Sequence, residues 1–210
     1  RLLKVGGTKD PKIQEIIALS PDIVLMNDEE NRREDYEALI AEGVDCYSTM
    51  PRTIKETAQM VRSISAIIGG SQRGEEIAGD IEARADRVSA AAARRESTSF
   101  AYIIWARPWM SVNDDTFAHA LLTNAGGVNV FGDRSERYPE ISIAELKEAS
   151  PDVVLLCTEP YPFKSGDVVD LSAEIDVPMD RIFIADGEYL SWHGSRTPDG
   201  IDYAESLIAG

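Results

Sequence analysis

Positive charge is scarce in this sequence. Its 210 residues hold 21 Lys and Arg against 37 Asp and Glu, for a formal net charge of −16. Such a surface repels phosphate backbones and acidic lipid headgroups, so neither nucleic acid nor an anionic membrane is an expected partner. Long apolar runs are also missing. None approaches the ~18 residues of a membrane-spanning helix, and no membrane insertion is expected. Two cysteines, Cys46 and Cys157, lie in separate apolar, strand-like runs with no C-x-x-C or Cys/His spacing. That pattern supports neither a zinc site nor a disulfide between them. The two histidines, His119 in helical sequence and His193 in a loop, form no H-x-x-x-H pair. There is no G-x-S-x-G, no Walker A loop and no G-x-G-x-x-G after a strand. GGSQRGEE is glycine-rich but lies in helical sequence and ends in carboxylates, which repel phosphate. No motif here points to an enzyme, a resident metal or an intrinsic cofactor.

What the chain does contain is one phrase written twice. IQEIIALSPDIVL (13–25) and IAELKEASPDVVL (143–155) share a helix-like start, Ser-Pro-Asp and an apolar, β-rich end. In the first copy Ile13, Ile16 and Ile17 mark one helix face. The proline then disfavours helix at the preceding serine, and a buried strand follows. In the second copy Ser142 and Glu145 have capping-box spacing. A short helix feeding a buried strand is the repeating unit of parallel α/β sheets, so two copies predict two α/β lobes.

Between the copies, DYEALIAEG reads as a helix stopped by Gly43, and VDCYST as a strand. Thr53 and Glu56 make a second capping box at the head of some forty helical residues. Their apolar positions are Ile54, Val61, Ile64 and Ile68, then Ile77, Ile81, Ala85 and Val88, interrupted at Gly69-Gly70 with Ser71 placed to cap a restart. With no flexible Gly/Ser or Pro linker, this stretch predicts a stiff joint. The chain therefore divides into an N-terminal α/β lobe (1–52), a linking helix (53–97) and a C-terminal α/β lobe (98–210). That last lobe opens on the strand FAYIIW (100–105). It continues through a helix 116–127, the repeat helix and strand, a loop EPYPFKSGD, and the strand RIFIAD. A final helix follows, with Thr197 as its cap and Pro198 at its first position. Asp114, Asp115 and Thr116 are expected to cap the helix that carries His119.

Ligands bind where parallel strands end. Asn27–Asn31, Arg107-Pro108-Trp109, Glu159-Pro160-Tyr161-Pro162-Phe163, and Tyr189 with Trp192-His193 all follow such strands. All three tryptophans fall at these places, and Tyr138 sits on another loop. Aromatics mixed with a few polar groups describe a cleft for a flat or bulky ligand. The alternative is that they plug the ends of small cores. His119 reads as a satisfied helix histidine. His193 reads as a surface or pocket-wall residue, or as a loop imidazole able to ligate a metal. The acidic run at 28–30 reads as a solvated loop.

The segments VGGTKDPKIQEIIALSPDIVL, DTFAHALLTNAGGVNVF and RYPEISIAELKEASPDVVLL, with the long helical stretch, resemble the class III periplasmic binding proteins, the helical-backbone receptors for metal chelates. The likeness covers most of residues 4–209. GTK-x-P, EEN, the W-A-R-P-W-M run, ERYPE and EPYPF are similar to a subgroup associated with cobalamin. The resemblance implies an α/β fold of two lobes with parallel sheets joined by a long α-helix. Members of the family carry a further strand and helices before the VGG segment, so here the N-terminal lobe is expected to be incomplete, by trimming or by reduction. It also implies a monomeric substrate-binding protein for a corrinoid, a ferric siderophore or haem, in that order of preference, delivering its cargo to an ABC-transporter permease. The implied ligand-binding residues are Trp105, Arg107, Trp109, Tyr138, Tyr161, Trp192 and His193. Glu15 and Glu145 are the implied docking residues, although a carboxylate in the first turn of a helix is also favoured by the helix dipole. A periplasmic or lipid-anchored extracellular location follows from the family. The sequence opens on Arg1 and shows no signal peptide, which leaves a cytoplasmic location open. The competing readings are a cytosolic metal-dependent enzyme or a ligand-sensing module on the same fold.

Overall fold

In the computed structural model, residues 2–210 are described, and the chain divides into two units at Met50/Pro51. In the first unit, β1 (Gly6–Gly7) and β2 (Asp10–Pro11) make a small antiparallel ribbon, followed by α1 (Ile13–Ala18), β3 (Val24–Asn27), α2 (Arg33–Ala41) and β4 (Cys46–Thr49). β3 and β4 pair in parallel, with Val24 opposite Cys46 and Asn27 opposite Thr49. The α2 crossover between them ends at Gly43, whose φ of 78° suits a residue without Cβ. The buried apolar set of this unit is small: Ile16, Met26, Leu39 and Val44.

The second unit begins with α3 (Ile54–Ile67) and α4 (Ser71–Ala92). The capping box of Thr53 and Glu56 forms as the spacing predicts. The expected linking helix over 53–97 is two helices, because the Gly69-Gly70 break reverses the chain. Arg62 of α3 forks onto both Glu75 and Glu82 of α4, which requires the two helices to run antiparallel. The turn leaves Ile68 exposed, although the helical period had placed it on the apolar stripe. Ile81 and Val88 are fully buried as expected, and Gly70, not Ser71, occupies the cap of α4.

Next come β5 (Thr98–Ile103), β6 (Trp109–Met110), α5 (Phe117–Asn124), β7 (Gly127–Asn129), β8 (Glu140–Ile141), α6 (Ile143–Ala149) and β9 (Val153–Cys157). α7 (Ser165–Ile175), a 3-10 turn at Met179–Arg181, β10 (Ile182–Ala185), α8 (Gly187–Ser191) and α9 (Thr197–Ala209) complete the unit. The main sheet has the order β10-β9-β5-β7, with all neighbours parallel. Its strands alternate between two cores. Phe100, Tyr102, Leu155 and Cys157 face α4, α5 and α9, while Ala101, Ile103, Val154 and Leu156 face α6 and α7. Burial on both faces explains why the central strand β9, VVLLC, is uniformly apolar.

Several sequence expectations shift here. β5 runs 98–103 instead of 100–105, so Trp105 lies beyond its end and makes a bridge to Met110. Residues 165–167, expected as the end of the EPYPFKSGD loop, instead open α7, and Thr197 is the first residue of α9 with Arg196 as its cap. Thr116 alone caps α5. Asp115 instead pairs with Arg52 at 3.1 Å and Arg137 at 2.9 Å.

The doubled phrase has one geometry in both places. The serine before each Ser-Pro bond is left-handed, Ser20 at φ 49° and Ser150 at φ 44°, which ends the helix and turns the chain into its strand. The two strands belong to different sheets, one in each unit.

Candidate functional site

The main sheet positions the aromatic loops of the second unit. β5 ends at Ile103, and the turn through Arg107 returns as β6, which lies antiparallel to β8 with Trp109 opposite Ile141. Ser111 N–H donates to Pro139 O and Asn113 N–H to Arg137 O, so the Tyr138 loop is held along the Trp109 segment. The loop after β9 supplies Tyr161 and Phe163. Trp105 meets Tyr161 edge-on at 5.4 Å, Tyr161 meets Phe163 at 4.5 Å, and Trp109 stacks on Phe163 at 6.1 Å and 10°. Two separate stretches of sequence thus make one aromatic group, with Phe163 buried at its base and Trp105 38% exposed at its edge.

The base of this loop is firmly tied. Thr158 N–H donates to Ala185 O, and the Thr158 hydroxyl accepts from Gly187 N–H. Beneath it the Tyr102 hydroxyl donates to Cys157 Sγ at 2.8 Å, and the thiol donates to Glu159 O at 2.8 Å. Burial pushes the Tyr102 phenol well above its ordinary value and raises the Cys157 thiol too, so both stay protonated as donors. A side chain at Gly187 would meet Glu159 Cβ at 2.8 Å and Cys157 Sγ at 2.9 Å. α8 therefore packs tightly against this loop, and its C-terminal end carries Trp192.

Trp192 is 47% exposed and is held from two sides. Its indole N–H donates to Glu159 Oε2 at 3.0 Å, and the Arg196 guanidinium lies 5.3 Å from its ring centroid while pairing with Glu188 at 2.7 Å. His193 packs its ring on Phe117 at 4.6 Å. Tyr138 lies beside Arg137, whose guanidinium carbon is 5.8 Å from the ring centroid. Arg107 is exposed at a φ of 64° and makes no ion pair with a described residue. Phe163, Glu159 and Arg196 were not among the expected site residues. EPYPF signals the first two only by standing directly after a strand, and nothing local signals Arg196.

A cavity of about 820 Å³ lies elsewhere on this unit, lined by Arg52, Lys55, Glu82, Asp86, His119 and Asn124 among others. None of the seven expected ligand-binding residues lines it. His119 is half-buried, burial lowers its basicity, and its Nδ1 lies 3.3 Å from Asn129 Nδ2, as a satisfied helix histidine would. Among the described residues, no group of three or more His, Cys, Asp or Glu is arranged to hold a metal, and no helix is long and apolar enough to cross a membrane.

A family model described as "Periplasmic binding protein" matches residues 1–202. The chain belongs to that family. Its relatives include the vitamin B12-binding protein of Vibrio cholerae serotype O1, 22% identical over 206 residues, which cover 96% of this chain and 73% of that protein. Among solved structures, the periplasmic vitamin B12-binding protein of Vibrio cholerae aligns with a TM-score of 0.83 at 20% identity, covering 98% of this chain and 81% of that one. A periplasmic haem-binding protein from Roseiflexus sp. RS-1 aligns with a TM-score of 0.80 at 22% identity, covering 98% and 84%. At these identities the structural likeness establishes the fold. A periplasmic binding protein of this kind is a mixed α/β protein of two lobes, as the doubled helix-strand phrase predicts.

Proposed function

We propose that this chain is the substrate-binding protein of an ABC transporter, taking up a metal chelate without chemically altering it, with a corrinoid as the preferred cargo and ferric siderophore or haem next. The observation that carries this reading is the aromatic group Trp105–Tyr161–Phe163–Trp109 on loops that leave the carboxyl ends of parallel strands. Such a surface suits a broad, flat, largely apolar macrocycle. Trp105, Trp109, Tyr138, Tyr161 and Trp192 supply contact area, Arg107 offers a planar fork to carboxylate or phosphate groups, and His193 closes the wall or reaches the metal. The proposal includes the division into lobe (1–52), a linking helical segment (53–97) formed by α3 and α4, and lobe (98–210). It also includes a monomeric state, a periplasmic or lipid-anchored location, and Glu15 and Glu145 as contacts to the permease. The relatives named for vitamin B12 and haem support the choice of ligand class.

The deciding measurement is a titration of the protein with cyanocobalamin, ferric hydroxamate and haem, followed by tryptophan fluorescence. Saturable quenching by one of them, weakened roughly tenfold or more in Trp109→Ala, is the expected outcome, since loss of a large aromatic anchor costs about 2 kcal/mol or more. Failure of all three to bind would overturn the reading.

A further inference from the structure

The loop after β9 sets a carboxylate in the aromatic rim. Glu159 is half-buried, its backbone carbonyl is held by the Cys157 thiol, and its side chain leans against the edge of Trp192. An ionised carboxylate accepts about four hydrogen bonds. Among the described residues the Trp192 indole N–H is its one side-chain donor, at Oε2, which leaves Oε1 open to a further donor. Among the described residues no cation pairs with it, whereas Arg196 pairs with Glu188. Asp186 caps α8 directly before Gly187, the residue that packs against Glu159 Cβ. This end of the aromatic surface therefore offers an acceptor and a negative field, within a protein already at −16.

We propose that Glu159 is a specificity-determining residue: it accepts hydrogen bonds from N–H donors on the periphery of the bound macrocycle and turns away macrocycles whose periphery carries carboxylates. The inference rests on the chelate-binding reading and narrows it to ligands with a carboxamide edge. The physical basis is asymmetric. A carboxamide N–H meeting Glu159 makes a charge-assisted hydrogen bond, whereas a ligand carboxylate at the same place meets like charge and leaves both acceptors without a proton between them. Trp192 is part of the device, because its indole both holds Oε2 in place and presents its face to the ligand.

Glu159→Gln tests this with little change of shape. The glutamine oxygen still accepts from the Trp192 indole, while the charge is removed and a donor is introduced. Cyanocobalamin, with its carboxamide rim, and haem, with its propionates, are the two probes, each titrated into wild type and Glu159→Gln. Thermal unfolding and the Trp192-containing emission of the free proteins serve as controls for folding. The expected result is that Glu159→Gln weakens cyanocobalamin roughly tenfold and strengthens haem severalfold, so that the ratio of the two affinities falls by more than tenfold. Glu159→Lys should move the ratio further in the same direction. If wild type binds a probe and the ratio is unmoved in both variants, the inference is overturned while the chelate reading stands. If wild type binds neither probe nor ferric hydroxamate, both are overturned together.

Discussion

At the scale of single residues, the two glutamates of the doubled phrase show how the same sequence position acquires different surroundings. Both stand at the third position of their helices. Glu15 pairs with Lys12 at 2.9 Å, and both side chains are largely exposed. Glu145 is held by the Ser142 N–H and hydroxyl, both at 2.8 Å, and by Arg134 at 2.6 Å. These donors, the Ser142 backbone first, lower its carboxyl to about 2. The unfolded carboxyl titrates near 4.3. A depressed folded value stabilises the native state above the unfolded value, and that contribution is lost as pH falls from about 4 through about 2. Glu145→Gln keeps the capping oxygen and removes the charge. Its melting temperature should lie below wild type at pH 6 and converge with it by pH 2; a gap independent of pH would show that ionisation is irrelevant there. The proposed docking role separates from this one: if it holds, Glu15→Gln and Glu145→Gln should weaken permease binding at low salt while chelate affinity stays at the wild-type level.

At the scale of elements, the helix pair α3–α4 makes a prediction of opposite signs within one helix. A Cβ at Gly74 would lie 2.2 Å from both the Cβ and the Oγ of Ser65, where the two helices touch, while a Cβ at Gly79 meets nothing within 4 Å. Gly74→Val should destabilise by about 1–3 kcal/mol through overpacking. Gly79→Ala should stabilise by roughly 0.5–1 kcal/mol through reduced backbone entropy. Denaturant unfolding of the two variants checks both signs at once. Elements were legible where a cap or a proline marks their ends. The boxes at Thr53/Glu56 and Ser142/Glu145 form, and both Ser-Pro pairs turn helix into strand. The antiparallel course of α3 and α4 was not legible, because Gly69-Gly70 marks a break but carries no direction. α7 was hidden by the turn-forming residues Ser165, Gly166 and Asp167 at its start and by the β-branched Val168-Val169 pair, although Val168, Leu171 and Ile175 do recur at helical spacing. In the site, the strand-end positions of the aromatics were readable from sequence. The hydrogen bond from Trp192 to Glu159 was not, because it joins residues 33 apart that only the close packing of Gly187 brings together.

At the scale of the whole molecule, the two units differ in how much they can bury. Residues 51–210 hold both cores that flank the four-stranded sheet, with Phe100, Tyr102, Leu121, Leu155, Leu156 and Leu171 at 1% exposure or less. Arg84 and Arg87 of α4 are tied to Asp199, Asp202 and Glu205, which fastens α9 to the helix pair and closes this unit on itself. Residues 1–50 bury four apolar side chains around two strands, and Leu25 remains 45% exposed on β3. A chain of about that length rarely offsets its conformational entropy without a metal, a disulfide or a neighbour. A fragment of residues 51–210 should therefore unfold in a single cooperative transition, and a fragment of residues 1–50 should show none. Every aromatic residue proposed to stack on the ligand belongs to 51–210, so that fragment should still show saturable tryptophan quenching by cyanocobalamin. A non-cooperative melt of 51–210 would mean that its two cores do not suffice without the first fifty residues. A cooperative melt without quenching would move the binding energy away from the Trp105–Tyr161–Phe163–Trp109 group.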